Sequence, residues 1–107
     1  MKVMISQPMA GLSRQEIEET RSHVVAMLTS HGHQVVDSYV SEESPPTNNE
    51  ALFCLGKSLQ IMAMSDAVYF LPGWESARGC QMEHKACTEY GIKILQDATL
   101  NDNLRGQ

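Results

Sequence analysis

Short apolar runs alternate with longer amphipathic stretches along this chain of 107 residues. Apolar runs of four or five residues bounded by turn formers are typical of buried strands, and apolar positions recurring every three or four residues are typical of helices. The pattern predicts strands at 2–6, 34–37, 67–71 and 92–95, and helices at 13–32, 50–64 and 76–90. This βαβαβαβ order predicts a three-layer α/β sandwich, because parallel strands need crossover connections.

Local signals mark the helices. Ser13 followed by Glu16 has the spacing of a capping box, in which each side chain satisfies a free backbone N–H. Gly32 is a plausible C-terminal stop for that first helix. The second helix is expected to bury one apolar side, formed by Leu52, Leu55, Leu59 and Met62.

Two segments are polar and lack a periodic pattern. Residues 38–49, SYVSEESPPTNN, contain two prolines and predict a loop on the same rim as the loops after the first and third strands. That loop is either a substrate lid or a mobile surface loop. We expect one domain at 1–97, followed by a polar tail at 98–107 that crosses to a neighbouring subunit or frays.

Composition narrows the classes of function. The net charge of −5 at pH 7, with no basic cluster, disfavours nucleic-acid binding. No apolar run approaches the roughly 20 residues of a membrane span, and no signal-peptide pattern opens the chain, so no membrane partner is expected. Three cysteines are an odd number, which favours reduced thiols and a cytoplasmic protein.

The chain is organised around residues 65–91, where a buried strand ends at Pro72-Gly73 and a helix follows. Loops at the carboxyl ends of parallel strands are where such sheets bind ligands. Gly79 and Glu83 share one helix face, and the missing side chain of the glycine leaves a gap for a ligand beside the carboxylate. Glu83 is therefore a candidate catalytic group, and a solvent-facing glutamate is the alternative.

Two further interpretations concern the same helix. Cys80, His84 and Cys87 have the spacing of one helical face, which resembles three metal ligands. Cys80 and His84 could also form a nucleophilic pair, although no oxyanion hole is evident. Both cysteines lie on the side expected to pack on the sheet, so buried apolar roles are favoured and no metal is expected.

Two motifs resemble the nucleoside 2-deoxyribosyltransferase family. MISQPMAGL, at 4–12, is similar to the first-strand motif YISGPMxG of that family, and 65–91 is similar to its second signature. In the second signature the strand, the turn, Gly79, Glu83 and Gly91 fall at the expected spacing. The resemblance covers 2–95 and is greatest to a small phage and bacterial DUF4406-type branch, related to deoxynucleoside 5′-monophosphate N-glycosidases. It implies a flavodoxin-like fold with four or five parallel strands.

The resemblance implies that Glu83 is a nucleophile, which the helix dipole would keep ionised. Such an enzyme displaces the base of a 2′-deoxynucleoside or its 5′-monophosphate, and a second base or water then resolves the glycosyl-enzyme. No cofactor is implied, and relatives build their sites from two subunits, so a homo-oligomer is expected. Trp74 would stack on a base, and Arg14 and Arg78 would face a phosphate. The implied substrate-binding residues are Ser6, Pro8, Met9, Gly11, Arg14, Gly73, Trp74, Ser76 and Gly79.

Two positions depart from the family pattern. Met4 stands where the family has a tyrosine, and Ser58 stands near the position of the aspartate that protonates the departing base. Asp66 is expected at the strand entrance, away from the ligand, so the acid would have to come from Glu75 or from the loop that contains Glu42 and Glu43. Two alternatives to an enzyme therefore remain open: a nucleotide-binding module without turnover, and an interaction subunit without a ligand.

Overall fold

A computed structural model describes residues 1–36 and 48–96. Its elements are β1 (Lys2–Ser6), α1 (Arg14–Ser30), β2 (Gln34–Val36), α2 (Glu50–Met62), β3 (Ala67–Phe70), a one-turn 3₁₀ helix (Trp74–Ser76), α3 (Arg78–Tyr90) and β4 (Lys93–Leu95). The four strands of the described ranges form one parallel sheet in the order β2-β1-β3-β4. The predicted α/β sandwich with a flavodoxin-like parallel sheet is confirmed.

Alternating side chains of β1 and β3 build two cores, one on each face of the sheet. Val3 and Ile5 pack with Val24 and Leu28 of α1 on one face. Met4 lies on the opposite face, in the cluster that includes Met62 of α2 and, from α3, Cys87. Strand residues alternate between faces, and both faces of a parallel sheet need a helical cover, so the three layers follow directly from this pattern.

The predicted start of α1 is confirmed. The backbone N–H of Glu16 donates to Ser13 Oγ at 3.1 Å, and the N–H of Ser13 donates to Glu16 Oε1 at 3.3 Å, which completes the capping box. The helix ends at Ser30, and Gly32 follows with φ of +85°. That left-handed conformation suits a residue without a side chain, so the predicted stop lies close to the real one.

The predicted buried side of α2 is wrong. Met62 is buried, but Leu52 is 62% exposed and Leu59 is 38% exposed. The side that faces the core carries Met62 and the partly buried Ile61. At 100° per residue, this side is rotated by roughly a quarter turn from the predicted one. The three leucines of α2 share one side, so packing against α3 and the sheet, rather than the leucine pattern, decides which side is buried.

Several element boundaries differ from the prediction by one or two residues. The first helix spans Arg14–Ser30 rather than 13–32, and β3 ends at Phe70 rather than at position 71. Residues Trp74–Ser76 form the 3₁₀ helix, so α3 begins at Arg78 rather than at Ser76. The α2 helix ends at Met62 rather than at position 64, and β4 begins at Lys93 rather than at position 92. Residues 37–47 and the predicted tail at 98–107 lie outside the described residues. Asn49, predicted as the end of the loop, is described and caps α2, where its Oδ1 accepts from the backbone N–H of Leu52 at 3.0 Å.

Asp66 lies at the amino end of the sheet, as expected. Its Oδ2 accepts from the backbone N–H of Lys2 at 2.8 Å, and its own N–H donates to the Lys2 carbonyl at 2.8 Å. These two bonds tie the starts of β1 and β3 together, far from the carboxyl ends of the strands. None of the helices in the described ranges combines the length and apolarity that a membrane crossing requires.

Candidate active site at the carboxyl ends of the central strands

The carboxyl ends of β1 and β3 lie side by side at the centre of the sheet. The chain leaves β1 toward β2 and leaves β3 toward β4 on the opposite side. In open α/β sheets, ligands bind in the crevice at such a switch in strand order. Ser6 ends β1 and is paired with Phe70, which ends β3. The candidate site is built on these two neighbouring positions.

Glu83 of α3 projects into this crevice and is only 7% exposed. Ser6 Oγ donates to Glu83 Oε1 at 2.6 Å, a length typical of a strong bond to a charged acceptor. Ser58 of α2 lies near enough to the same carboxylate to lower its pKa. The carboxylate is therefore bound by β1 and approached by α2, and the alternative of a solvent-facing glutamate is wrong.

Burial raises the pKa of Glu83 above the ordinary value of a glutamate. Ser6 and Ser58 lower the same pKa and offset part of the rise. The pKa of Glu83 thus moves opposite to the direction that the helix dipole alone would produce, and an ionised Glu83 stays a prediction. Glu83 is in the second turn of α3, and the dipole effect falls off within the first turn, whereas burial acts fully on this side chain.

The gap expected at Gly79 is present. A Cβ built on Gly79 would meet no neighbouring atom within 4 Å, and the residue is exposed. Gly79 lies one turn before Glu83 on α3, so the open space adjoins the helix face that carries the carboxylate. A ligand thus has room to approach this side of the helix without any displacement of protein atoms.

The two cysteines of α3 are buried beside Glu83, and Cys87 Sγ lies 3.8 Å from Met62 Sδ. Burial and the charge of Glu83 raise the pKa of Cys87 to about 11. Burial is also the main cause of a raised pKa at Cys80. Protonated thiols are poor nucleophiles, which disfavours the Cys80–His84 pair. Across 1–36 and 48–96, no group of three His, Cys, Asp or Glu residues is arranged to hold a metal ion.

Phe70, Trp74 and His84 form an aromatic cluster next to the carboxylate. The Trp74 and His84 rings are stacked, with centroids 4.1 Å apart and planes 10° apart. Phe70 contacts both, at 5.5 Å from Trp74 and 5.1 Å from His84. Trp74 is half-buried and contacts Phe70 and His84. The cluster stands beside Ser6, since Phe70 is the cross-strand neighbour of that serine.

The loops after β1 and β3 meet at the same edge. Gly73 has φ of +93°, and a Cβ at that position would lie 3.8 Å from Pro8 Cγ. Gly11 also has a positive φ, of +80°, and ends the turn after Met9, which is exposed. The two sequence motifs, separated by some 60 residues, are thus brought into contact through Pro8 and Gly73.

Two predicted site residues lie differently from what was expected. Arg14 is on the exposed surface of α1, where its Nε contacts Glu18 Oε1 at 3.1 Å. Ser76 belongs to the 3₁₀ helix, and its backbone N–H donates to the Gly73 carbonyl at 3.2 Å. Ser76 therefore does not form part of the first turn of α3, which starts from Ala77 without a side-chain cap.

The role of Ser58 was identified only in part from the sequence. Its alignment with the acid of the family predicted a position near the nucleophile, and the structure places it near Glu83. Its effect on the pKa of the carboxylate was missed, as was the stacking of His84 on Trp74. The alternative acid Glu75 is exposed in the 3₁₀ helix, and Glu42 and Glu43 lie outside the described residues.

Known proteins resemble this chain mainly through its fold. The family model described as "Domain of unknown function (DUF4406)" matches residues 1–96. No curated protein sequence is similar enough to count as a match. Among solved structures, the chain is similar to a 2-deoxyribosyltransferase from the psychrotolerant bacterium Bacillus psychrosaccharolyticus, with a TM-score of 0.66. The two share 16% sequence identity, over 90% of this chain and 71% of the other.

Proposed function

The chain belongs to the DUF4406 family, and from that premise and the setting of Glu83 we propose that it cleaves or exchanges an N-glycosidic bond. The proposed substrate is a 2′-deoxynucleoside or its 5′-monophosphate. The observation that supports this most is the buried Glu83 carboxylate, which accepts a hydrogen bond from Ser6 at the switch point of the sheet. The fold is that of a 2-deoxyribosyltransferase, which makes the same crevice a reasonable sugar site.

The proposed reaction proceeds in two displacements at the anomeric carbon. A Glu83 oxygen attacks that carbon, the bond to the base nitrogen breaks, and the bonding electrons leave with the base, which takes up a proton. Water or a second base then attacks the glycosyl-enzyme and regenerates the carboxylate. A carboxylate fits this chemistry because the transition state is oxocarbenium-like, and covalent capture divides one difficult step into two.

The residues around Glu83 suggest where each part of the substrate would bind. The sugar would occupy the space beside Gly79, near Ser6, and the base would lie against Trp74. The contacting loops of Pro8 and Gly73 would close the crevice above them. Their neighbours Met9 and Gly11 would complete this side, while Arg14, Arg78 and Ser76 remain the candidates for a 5′-phosphate.

The test is Glu83→Gln, which keeps the shape of the side chain and an acceptor for the Ser6 hydroxyl. Turnover should fall by several orders of magnitude, as expected when a covalent nucleophile is lost, while substrate affinity persists. Glu89→Gln is the matched control, because Glu89 is exposed on the same helix. Denaturing mass spectrometry of the wild type with a slow substrate should find a deoxyribosyl adduct on the peptide that contains Glu83. Unimpaired turnover by Glu83→Gln would rule out the mechanism.

A second candidate function is a nucleotide-binding module with weak or no turnover. The observation in its favour is Ser58, which lies near Glu83 where the related enzymes have a carboxylic acid. A serine hydroxyl cannot serve as a general acid at ordinary pH, so departure of an unactivated base would be slow. A thermal-shift screen of nucleosides and nucleotides, combined with an activated nitrophenyl deoxyriboside as substrate, separates the two. Binding without cleavage of the activated compound favours the module.

The proposal also covers the oligomeric state of the protein and its cellular compartment. A single domain of this size has little depth to enclose a nucleotide, so we infer a homo-oligomer, at least a dimer, in which residues 98–103 approach a neighbouring site. The free cysteines Cys54, Cys80 and Cys87 are consistent with a reducing compartment, and the cytoplasm is the proposed location. No nucleic acid, membrane or cofactor enters the proposed reaction.

A further inference from the structure

The aromatic cluster contains a residue that neither motif explains. His84 directly follows Glu83 on α3, and its ring is stacked on Trp74 at 4.1 Å with nearly parallel planes. Phe70 meets the same ring edge-on at 5.1 Å. The imidazole therefore contacts two aromatic side chains, Phe70 at the end of β3 and Trp74 in the 3₁₀ helix that follows it.

The cluster is placed beside the reacting carboxylate by the register of the sheet. Phe70 and Ser6 are paired neighbours in adjacent parallel strands, which lie roughly 5 Å apart. Ser6 holds Glu83, and Phe70 supports His84 and Trp74. One face of the indole is covered by the imidazole, and Trp74 as a whole is only half-buried. The stacking therefore leaves part of the indole free while it fixes the plane of the ring.

We propose that His84 is a positioning residue, which holds the Trp74 indole as a preset platform for the planar base of the substrate. This inference rests on the proposed function and adds to it the residue that governs recognition of the base. A base–aromatic stack of this kind tolerates different bases, because each base has a flat π face. The platform would therefore favour base-bearing ligands over free sugars without selecting strongly among bases.

The experiment measures the indole and the ligand separately. Trp74 is the only tryptophan of the chain, so its fluorescence reports one site. In His84→Ala, acrylamide should quench that fluorescence more strongly and its anisotropy should fall, whereas His84→Phe, which keeps a ring, should retain the wild-type values. Lys85→Ala is the matched control, because Lys85 is the exposed next residue on α3 and its contact with Glu89 is long, at 3.9 Å.

Affinity is measured in a Glu83→Gln background, so that cleavage does not consume the probe. The probes are 2′-deoxyadenosine 5′-monophosphate and 2-deoxyribose 5-phosphate, which share the sugar phosphate but not the base. His84→Ala should weaken the nucleotide roughly 2- to 12-fold, the range of one aromatic pair, and leave the sugar phosphate unchanged. Added to Trp74→Leu, the same substitution should have no further effect, because His84 acts through the indole.

Three results would overturn the assignment: unchanged quenching in His84→Ala, equal losses for both probes, or an undiminished loss in the Trp74→Leu background. The proposed function fails in a different way. If Glu83→Gln leaves turnover intact, or no deoxynucleotide binds the wild type, the proposed function fails and the base platform fails with it. If Glu83 is essential and His84→Ala is silent, only the present inference is wrong.

Discussion

Ser6→Ala tests directly how the fold accommodates the buried carboxylate. The substitution removes the hydroxyl that donates to Glu83 at 2.6 Å. Among the described residues, Ser58 then still lowers the pKa of Glu83. A hydrogen bond to a charged group contributes about 1.5–3 kcal/mol, and one to a neutral group about 0.5–1.5 kcal/mol. At a pH above the folded-state pKa of Glu83, where the carboxylate is charged, the unfolding free energy should therefore fall by about 1.5–3 kcal/mol. In a chain of this size that corresponds to a Tm decrease on the order of 10 °C.

The pH dependence of this loss is the stronger test. Burial holds the folded-state pKa of Glu83 above its unfolded value, and loss of the Ser6 bond raises that pKa further. Below the ordinary carboxyl pKa of about 4.3, Glu83 is protonated in both the folded and the unfolded chain, so only the neutral bond is lost. The destabilisation of Ser6→Ala should thus be smallest in acid and grow as the pH rises through the folded-state pKa.

Urea denaturation of wild type and Ser6→Ala across this pH range is the assay, with Ser22→Ala as control. Ser22 is exposed, and its hydroxyl donates to the Glu18 carbonyl within α1, so its removal should cost little at any pH. A destabilisation of Ser6→Ala that does not change with pH would show that Glu83 is not the partner that matters. A loss no greater than that of Ser22→Ala would refute the hydrogen bond itself.

The remaining predictions concern a general acid at position 58, the open space at Gly79 and the oligomeric state. Ser58→Asp should speed cleavage of natural deoxynucleosides by about 10²–10⁴-fold, and it should speed cleavage of a nitrophenyl deoxyriboside much less. Equal gains on both substrates would show that the new carboxyl group is not a general acid. Gly79→Ala should stabilise α3 by about 0.5–1 kcal/mol, because the new Cβ meets open space. The same substitution should weaken nucleotide binding. Unchanged affinity in titration calorimetry would place the ligand elsewhere. Light scattering should find an oligomer, and a single species of 11.9 kDa at working concentration would contradict that expectation.

The fold was predictable because its signals are local. Apolar runs, the capping box at Ser13 and the turn at Gly73 each act within a few residues, and each was confirmed with small changes of boundary. The orientation of α2 was not predictable in the same way. Its three leucines share one side, but the side that faces the core runs through Met62 and Ile61, and contact with α3 and the sheet selects it. Long-range packing, which the sequence pattern does not encode locally, decided that point.

The sequence pointed to Glu83 as the central residue of the candidate site, but it did not predict the contacts of that residue. Glu83 followed from the motif spacing, whereas its bond to Ser6 joins residues 77 positions apart. Pairing of β1 with β3 brings them together, and no local pattern reports that pairing. The stack of His84 on Trp74 depends likewise on the 3₁₀ helix, which was not predicted. Contacts between side chains that the sheet register brings together could therefore be identified only from the structure.

Ser58 sets the balance between the two candidate functions. A carboxylic acid at that position would lie against the buried Glu83, and two neighbouring carboxyl groups resist simultaneous ionisation. The serine instead lowers the pKa of Glu83, which favours the ionised form of the carboxylate. A serine at this position also leaves no carboxylic acid there to protonate a departing base. Under the proposed function, the site would therefore be better suited to forming the bond to the sugar than to expelling an unactivated base. For this reason the dependence of turnover on the leaving group, rather than affinity, distinguishes an enzyme from a binding module.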